Sequence, residues 1–261
     1  YYLFLTCTYF LINSEFLHIG ARSSLTSELD WCWLYLYNFK VTLSGWSHNS
    51  PLNHLWSLAV EEQFYFVWPW LLKLFRKQFW FLIITVLITS LIFRLTHLYR
   101  DKIIYFHSLS IISDFAVGAV LAWLSMFKNE WLRSLLKLKK LYKVAIMFSF
   151  LILMFFRIDV LQFKLYEVGD RLITSIFFAW FIAESCISNE SIINPGKIPA
   201  FNYFGKISYG LYCYHAFALV IANKLLSQIS IYKSAMGFMV ILPIVVFGIT
   251  LILSSVSYRF F

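Results

Sequence analysis

Charged residues are scarce in this sequence of 261 residues: only 13% are charged, whereas 61% are hydrophobic. Average soluble domains have about a quarter of their residues charged. This chain therefore has too few polar groups to cover the surface of a globule in water. The composition excludes an ordinary water-soluble domain and predicts a protein whose outer surface faces lipid.

Motifs of soluble enzymes are also missing. The sequence has no Gly-rich phosphate-binding loop, no Walker pattern and no GxSxG turn. Its four cysteines are isolated, and no pair has the spacing of a metal site or an evident disulfide partner. We therefore expect no bound metal or cofactor. The cysteines are interpreted as small apolar packing residues, and they are Cys7, Cys32, Cys186 and Cys213.

Long apolar runs are the dominant feature. A helix needs about 20 apolar residues to cross a hydrocarbon core about 30 Å thick, because each residue adds about 1.5 Å. The runs are continuous rather than alternating, which favours helices over a barrel, the lesser alternative. We predict an all-α, polytopic transmembrane helical bundle, one domain over residues 1–261. About eight spans are predicted, near 1–19, 55–74, 79–98, 108–127, 144–156, 168–187, 207–226 and 235–256.

The basic residues indicate the orientation of these spans. The formal net charge is +9, but the basic residues are scattered between apolar runs, which argues against nucleic acid as a partner. By the positive-inside rule, the densest basic segment, 128–143, predicts a cytoplasmic loop. The basic turn at 73–77 is then also cytoplasmic and the loop at 22–54 lies outside. Attraction to anionic lipid is a further role expected of the segment's Lys128, Arg133, Lys137, Lys139, Lys140 and Lys143.

Two carboxylates and an amide occur inside the apolar, aromatic segment 55–69. An acid at the centre of a span costs about 2.5–3.5 kcal/mol, so such residues usually face a bundle interior or a water-filled cavity and mark a functional site. On a helix, Glu61, Tyr65 and Trp68 share a face, whereas Glu62 points about 100° away, which predicts different roles for the two acids. The alternative is that both acids lie at the membrane interface, solvated and stabilised by the helix dipole.

A second polar segment, 204–215, leads into a later apolar run. Ser208, Tyr212 and His215 fall on one face of a helix. An imidazole in this position can serve as a general base, a proton relay or a hydrogen-bond donor. The alternative is a histidine with a purely structural hydrogen bond.

These two segments resemble the acyltransferase 3 family of membrane O-acyltransferases, many of which modify bacterial surface polysaccharides. The stretch WSLAVEEQFYFVWP at 56–69 is similar to the family signature, and ISYGLYCYH at 207–215 resembles its later "iSYxLYxxH" motif. Weaker likenesses lie at 114–119 and 257–260. Two motifs in the expected order are far more specific than one, and the resemblance spans most of the chain.

The resemblance implies transfer of an acyl group, usually acetyl from acetyl-CoA, to a carbohydrate hydroxyl of a surface or exported polysaccharide. It also implies a multi-pass protein of the bacterial plasma membrane, whose partners are the lipid bilayer, acyl-CoA and a carbohydrate acceptor. The catalytic residues expected are Glu61, which orients a base or binds the acceptor hydroxyl, and His215. The residues expected to bind substrate are Trp56, Ser57, Glu62, Gln63, Tyr65, Ser208 and Tyr212.

Some parts of the family pattern have no counterpart in this sequence. The pattern includes an amino-terminal arginine-glycine helix with a catalytic histidine, a basic acyl-CoA-binding motif, and an acid in its closing motif. We therefore expect a fragment or a degenerate copy, with the main base supplied by preceding residues. Two other classes stay open. One is a transporter or flippase of a lipid-linked saccharide or an ion, which intramembrane acids also suit; the other is a non-catalytic partner in polysaccharide assembly.

Overall fold

The computed structural model describes residues 1–13, 22–47, 50–156, 164–188, 190–227, 234 and 236–260. All regular secondary structure in these ranges is helical, which confirms the predicted all-α class. The helices are α1 (Tyr2–Asn13), α2 (Arg22–Trp33), α3 (Tyr37–Ser44), α4 (Leu55–Leu74), α5 (Phe79–Thr96), α6 (Asp101–Phe106), α7 (Ser108–Phe127), α8 (Asn129–Leu135), α9 (Lys140–Phe155), α10 (Lys164–Ile187), α11 (Pro199–Leu226) and α12 (Leu242–Phe260), with a 3-10 turn at Pro195–Lys197 and a π-helical turn at Gly237–Ile241.

Three helical stretches within the described ranges are long and apolar enough to cross a membrane: Phe79–Thr96, Asp101–Phe127 and Gly237–Phe260. They support the predicted transmembrane character, but the predicted number of about eight spans is not confirmed. Helices α4, α9, α10 and α11 overlap four further predicted spans. Residues 14–19 of the first predicted span and Ala235 of the last lie outside the described residues.

Helix α4 begins and ends at the predicted residues, Leu55 and Leu74. The Phe64 ring stacks on Trp68 and on Phe115 of α7, with ring centroids 4.9 and 4.0 Å apart. Pro69 lies inside the helix and removes the N–H that would pair with the carbonyl four residues earlier. A proline inside a helix predicts a local kink at this position.

A π-helical turn lies directly before Pro243, a proline inside the predicted span 235–256. Pro243 is the second residue of α12, and the backbone N–H of Leu242 bonds to the carbonyl of Gly237, five residues back. A proline cannot donate to the carbonyl four residues earlier, and π turns are one of the ways in which a helix accommodates such a break. The turn therefore marks the site where regular α-helical bonding is interrupted.

The segment predicted as an outer loop, 22–54, contains two helices, α2 and α3. Leu25, Leu29 and Cys32 recur at helical spacing on α2 and are buried, and α1 packs against α2. The segment between the predicted spans is therefore partly helical, although Ser, Thr, Glu and Asp interrupt the apolar face of α2, and its outer location stays a prediction. Residues 48 and 49 lie outside the described part of the segment.

The chain divides into two compact units, which are described separately. The first comprises Tyr1–Tyr37, Trp46–Leu58 and Ile198–Phe261. Its most extensive contact joins α11 and α12, where a Cβ added to Gly210 would lie 3.1 Å from the Cβ of Ser254. Such small residues let helix backbones approach closely. Apolar packing in this unit centres on the buried side chains of Ala222, Leu226 and Leu242.

The second unit comprises Asn38–Gly45 and Ala59–Lys197. Helices α5 and α7 pack against each other, and α10 packs on both of them. Leu132, Leu136 and Ala183 form a buried apolar cluster against which Trp180 and other half-buried residues pack. The single-domain prediction stays a prediction, since the division into units describes packing only.

The basic segment 128–143 is not uniformly exposed. Lys128, Arg133, Lys137, Lys139 and Lys140 are exposed, as expected for a basic loop. Lys143 is only 2% exposed and forms an ion pair with Glu184, with 3.1 Å between Nζ and Oε1. The interpretation of Lys143 as a loop residue was wrong, since Lys143 lies inside α9. The sequence could not show the ion pair, because the partner lies 41 residues away.

The cysteines divide into two pairs by burial. Cys32 and Cys213 are buried, as expected for small packing residues, whereas Cys7 and Cys186 are exposed. The packing prediction was therefore wrong for Cys7 and Cys186. Both lie on outward-facing positions of α1 and α10, which sequence spacing alone did not identify.

Candidate functional site

Polar side chains from the start of α4 and from α11 meet in the first unit. The hydroxyls of Ser57 and Tyr212 are 2.6 Å apart, and the Tyr212 phenol also donates to the backbone carbonyl of His54. A phenol has one proton, so Ser57 is the donor to Tyr212. The imidazoles of His54 and His215 lie with ring centroids 4.6 Å apart. These four residues, called the two-histidine cluster below, include three predicted site residues and one, His54, that was not predicted.

His215 is exposed, and its Nδ1 lies 2.6 Å from the backbone carbonyl of Tyr212. A carbonyl can only accept a hydrogen bond, so this contact places the proton on Nδ1 and leaves Nε2 as the acceptor nitrogen. Nε2 has no hydrogen bond to any residue that the structure describes. His215 therefore has the tautomer that a general base requires.

His54 lies in the turn just before α4, with both ring nitrogens buried. Neither nitrogen has a well-formed hydrogen bond among the described residues. Burial lowers the pKa of His54 from 6.5 to about 4, and repulsion between the two imidazoles, when both are protonated, acts in the same direction. The backbone groups of Pro51 and Cys213 offset this lowering of the pKa only in part. At neutral pH, His54 is therefore an uncharged neighbour of His215.

The lowered pKa of His54 predicts that acid destabilises the folded protein. Between pH 6.5 and about 4, the unfolded chain binds a proton at this residue and the folded chain does not. The free energy of unfolding is expected to fall by up to about 1.4 kcal/mol per pH unit below 6.5. Equilibrium unfolding in mixed micelles from pH 7 to 4.5 measures this slope. His54→Gln should flatten it, and equal slopes in both proteins would contradict the prediction.

The turn that carries His54 is held by a buried carboxylate on α2. Glu28 is 2% exposed and accepts hydrogen bonds from the Ser50 hydroxyl at 2.5 Å and from the Tyr37 phenol at 3.0 Å. Burial and the nearby Glu28 carboxylate raise the pKa of Tyr37, so its phenol stays protonated. Asn53 closes the turn by donating to the carbonyl of Ser47 at 2.7 Å. Glu28 therefore fixes the backbone from which His54 projects.

The acids of α4 belong to the second unit. Glu61 and Glu62 are both half-buried, and neither has a hydrogen bond or ion pair among the described residues. Tyr65, predicted to support the site, is 58% exposed, and Trp56, which belongs to the first unit, is half-buried. The predicted roles of these four residues in the site stay predictions.

Gln63 lies in a closed set of hydrogen bonds in the second unit. Its Nε2 donates to Asn38 Oδ1 at 2.9 Å, and its Oε1 accepts from the Ser108 hydroxyl at 2.6 Å. Asn38 also donates to that hydroxyl at 3.0 Å and to the carbonyl of Phe106 at 3.2 Å. These bonds satisfy the completely buried Asn38 side chain and join α3, α4 and α7. The geometry assigns Gln63 a structural contact.

Ser208 is exposed and donates to the carbonyl of Gly205 in its own helix at 2.9 Å. It shares a helix face with Tyr212 and His215 but makes no described contact with either. The structure therefore does not bring Ser208 into the two-histidine cluster.

A buried arginine in the span Phe79–Thr96 was not singled out from the sequence. Arg94 is 1% exposed, and its guanidinium donates to the hydroxyls of Ser90 at 3.3 Å and Ser113 at 3.1 Å. Ser113 in turn donates to Asp114, which pairs with Arg171 of α10 at 3.1 Å. Charged residues inside a span mark functional or structural sites, and this charge alone would have signalled Arg94.

No group of three or more His, Cys, Asp or Glu side chains in the part of the chain that the structure describes is arranged to hold a metal ion. The chemistry available in the two-histidine cluster is that of imidazole and hydroxyl groups. Such groups move protons to and from a reacting oxygen.

The fold and the cluster together define a multi-pass helical membrane protein with paired imidazoles beside hydroxyl groups. The family model of acyltransferase 3, described as an acyltransferase domain, matches residues 1–258, and the chain belongs to this family. The family and the acyltransferase class predicted from the two sequence motifs are confirmed.

Curated relatives agree with this assignment. The chain is 25% identical to a protein of Bacillus subtilis (strain 168) provisionally named peptidoglycan O-acetyltransferase YrhL, over 96% of the chain and 40% of that protein. It is 30% identical to a provisionally named O-acetyltransferase of Staphylococcus aureus (strain COL), over 80% of the chain and 35% of the relative. A 45-residue stretch, 17% of the chain and 7% of the relative, is 42% identical to peptidoglycan O-acetyltransferase OatA of Listeria monocytogenes serovar 1/2a (strain EGD-e).

The chain thus spans well under half the length of these relatives. No solved structure matches it.

Proposed function

We propose that this chain forms the membrane-embedded part of an enzyme that transfers an acetyl group from acetyl-CoA to a hydroxyl of a cell-envelope polysaccharide. Membership of the acyltransferase 3 family supports the reaction class. The names of the relatives support acetyl as the acyl group and peptidoglycan as the acceptor. The location proposed is the bacterial plasma membrane, with the acceptor on its outer side.

The observation that carries the proposal is the two-histidine cluster. An acceptor hydroxyl attacks the thioester carbonyl, so that a C–O bond forms, the C–S bond breaks and CoA leaves as its thiol. The hydroxyl must lose its proton during the attack, and an imidazole with a free acceptor nitrogen takes it. His215 has that nitrogen in an exposed position. We assign His215 the role of base within this chain.

The other members of the cluster have supporting roles in the proposal. His54 is uncharged at neutral pH, so it does not repel the imidazolium that forms on His215. The Tyr212 phenol, held by Ser57 and by the His54 carbonyl, fixes the start of α4 against α11. Glu61 is assigned to orient a base or to bind the acceptor hydroxyl, as expected from its unpaired carboxylate in an apolar helix.

A transporter or flippase is the second candidate. The charged cluster of Arg94, Asp114 and Arg171 favours it, because ionisable groups inside spans also mark ion and proton pathways. The two functions differ in their need for an acyl donor. Dependence on acyl-CoA separates the enzyme from the transporter and from a non-catalytic partner.

The decisive measurement is transfer of label from radiolabelled acetyl-CoA to polysaccharide in membranes that contain the full-length protein. Glu61→Gln is expected to lower the rate about 100-fold or more, because an amide lacks the negative charge that stabilises an imidazolium or polarises the acceptor hydroxyl. Abundance and insertion of each variant are measured in parallel.

Glu130→Gln is the matched control. Glu130 is an exposed carboxylate on α8, so its replacement should leave the rate of label transfer unchanged. Equal loss in both variants would indicate a general effect of charge and would remove Glu61 from the site. Absence of label from the wild-type protein with every acetyl acceptor tried, despite correct insertion, would favour the transporter.

A further inference from the structure

An open cavity of about 410 Å³ lies in the second unit, among the end of α4, the start of α5 and the end of α7. Its walls are almost wholly apolar and aromatic, and they include Trp68, Leu72, Phe79 and Trp123. Phe79 and Trp123 stack with ring centroids 6.0 Å apart, which makes one wall rigid. A cavity of this kind, on helices whose surfaces face hydrocarbon, suits an acyl chain.

The mouth of this cavity is basic. Arg76 is the charged residue among those that line it, and it is exposed without a hydrogen bond or ion pair in the described part of the chain. Lys73 lies nearby but its ammonium is placed over the Trp70 ring, 5.8 Å from the centroid. Helix α5 begins at the cavity without a side-chain cap, so its backbone dipole adds positive potential there. A single anionic group beside Arg76 would complement this charge.

We propose that the cavity binds one anionic glycerophospholipid, with an acyl chain along the Trp68 and Trp123 wall and the phosphate on Arg76. The basic turn at 73–77 is the one predicted to face the cytoplasm, so the lipid belongs to the cytoplasmic leaflet. The site is distinct from the two-histidine cluster, and the proposal does not depend on acyl transfer.

Native mass spectrometry of the full-length protein, released from nanodiscs containing phosphatidylglycerol and phosphatidylcholine with identical acyl chains, tests the proposal. Phosphatidylglycerol should be retained preferentially. Arg76→Gln should reduce that preference about fivefold, the effect of one basic residue at a membrane surface. Ala122→Trp, which fills the cavity, should reduce retention of both lipids.

Lys77→Gln is the control, because Lys77 is exposed on the same turn but does not line the cavity. Its lipid preference should equal that of the wild type. An equal loss in Lys77→Gln and Arg76→Gln would indicate diffuse attraction to the basic surface and would overturn the site. Unchanged lipid retention in both Arg76→Gln and Ala122→Trp, in proteins that melt like the wild type, would also overturn it.

Discussion

Replacement of His215 with asparagine is expected to slow acetyl transfer about 100- to 10,000-fold, the range for loss of a general base. Asparagine keeps an N–H donor near the position of Nδ1, which bonds to the Tyr212 carbonyl, but it removes the acceptor nitrogen Nε2. The variant therefore preserves the local hydrogen bond and deletes only the proposed proton acceptor. The rate of label transfer from acetyl-CoA, normalised to the amount of inserted protein, measures the effect.

His97 offers a matched control for this experiment. Its Nδ1 lies 2.8 Å from the carbonyl of Phe93 in its own helix, a contact of the same kind as that of His215. His97→Asn should keep the wild-type rate of acetyl transfer. A His215→Asn rate within a few-fold of the wild type would contradict the assignment of His215 as base and would return it to a structural role.

The second large effect is expected at the Lys143–Glu184 pair. All three ammonium protons of Lys143 have acceptors: Glu184 at 3.1 Å, the Ser188 hydroxyl at 3.2 Å and the Glu190 carbonyl at 2.7 Å. Lys143→Met leaves the buried Glu184 carboxylate without its counter-charge, and it is expected to lower the free energy of unfolding by about 3–5 kcal/mol. Equilibrium unfolding in mixed micelles measures the loss.

The double variant Lys143→Met/Glu184→Met discriminates between loss of the pair and loss of packing. It removes both charges from the buried site, so it should recover most of the stability lost in the single variant. Lys140→Met, at an exposed position in the first turn of the same helix, should change the free energy of unfolding by no more than about 0.5 kcal/mol. A double variant no more stable than Lys143→Met would contradict the ion-pair explanation.

The fold was predictable where one apolar run forms one helix. Helix α4 begins at Leu55 and ends at Leu74 as predicted, because an apolar segment follows a polar turn and stops at a basic one. The sequence analysis did not predict helices that are short and mixed in composition, such as α2 and α3. It also failed for Lys143, since a lysine at the edge of an apolar run has the same sequence signal whether it faces water or a distant glutamate.

Only the part of the site that comes from a single helix could be predicted from the sequence. Helical spacing placed Tyr212 and His215 together, and the structure agrees. The pairing of His215 with His54 could not be derived from spacing, because it depends on how α11 packs against the turn before α4. The one sequence signal for His54 was its position directly before the apolar helix α4, which contains two acids. Gln63 shows the same limit, since its partners Asn38 and Ser108 come from other helices.

The buried Arg94 has a consequence for how the chain enters the membrane during synthesis. An arginine buried inside a span is unfavourable without polar partners, so α5 is poorly suited to leave the insertion machinery by itself. Ser113 and Asp114 on α7 supply the compensating contacts, and Arg171 on α10 balances the same carboxylate much later in the chain. The contacts of the Asp114 carboxylate are therefore complete only after α10 has been made. The three helices are best released into lipid as a group, which makes the end of α10 a natural checkpoint in the biogenesis of this protein.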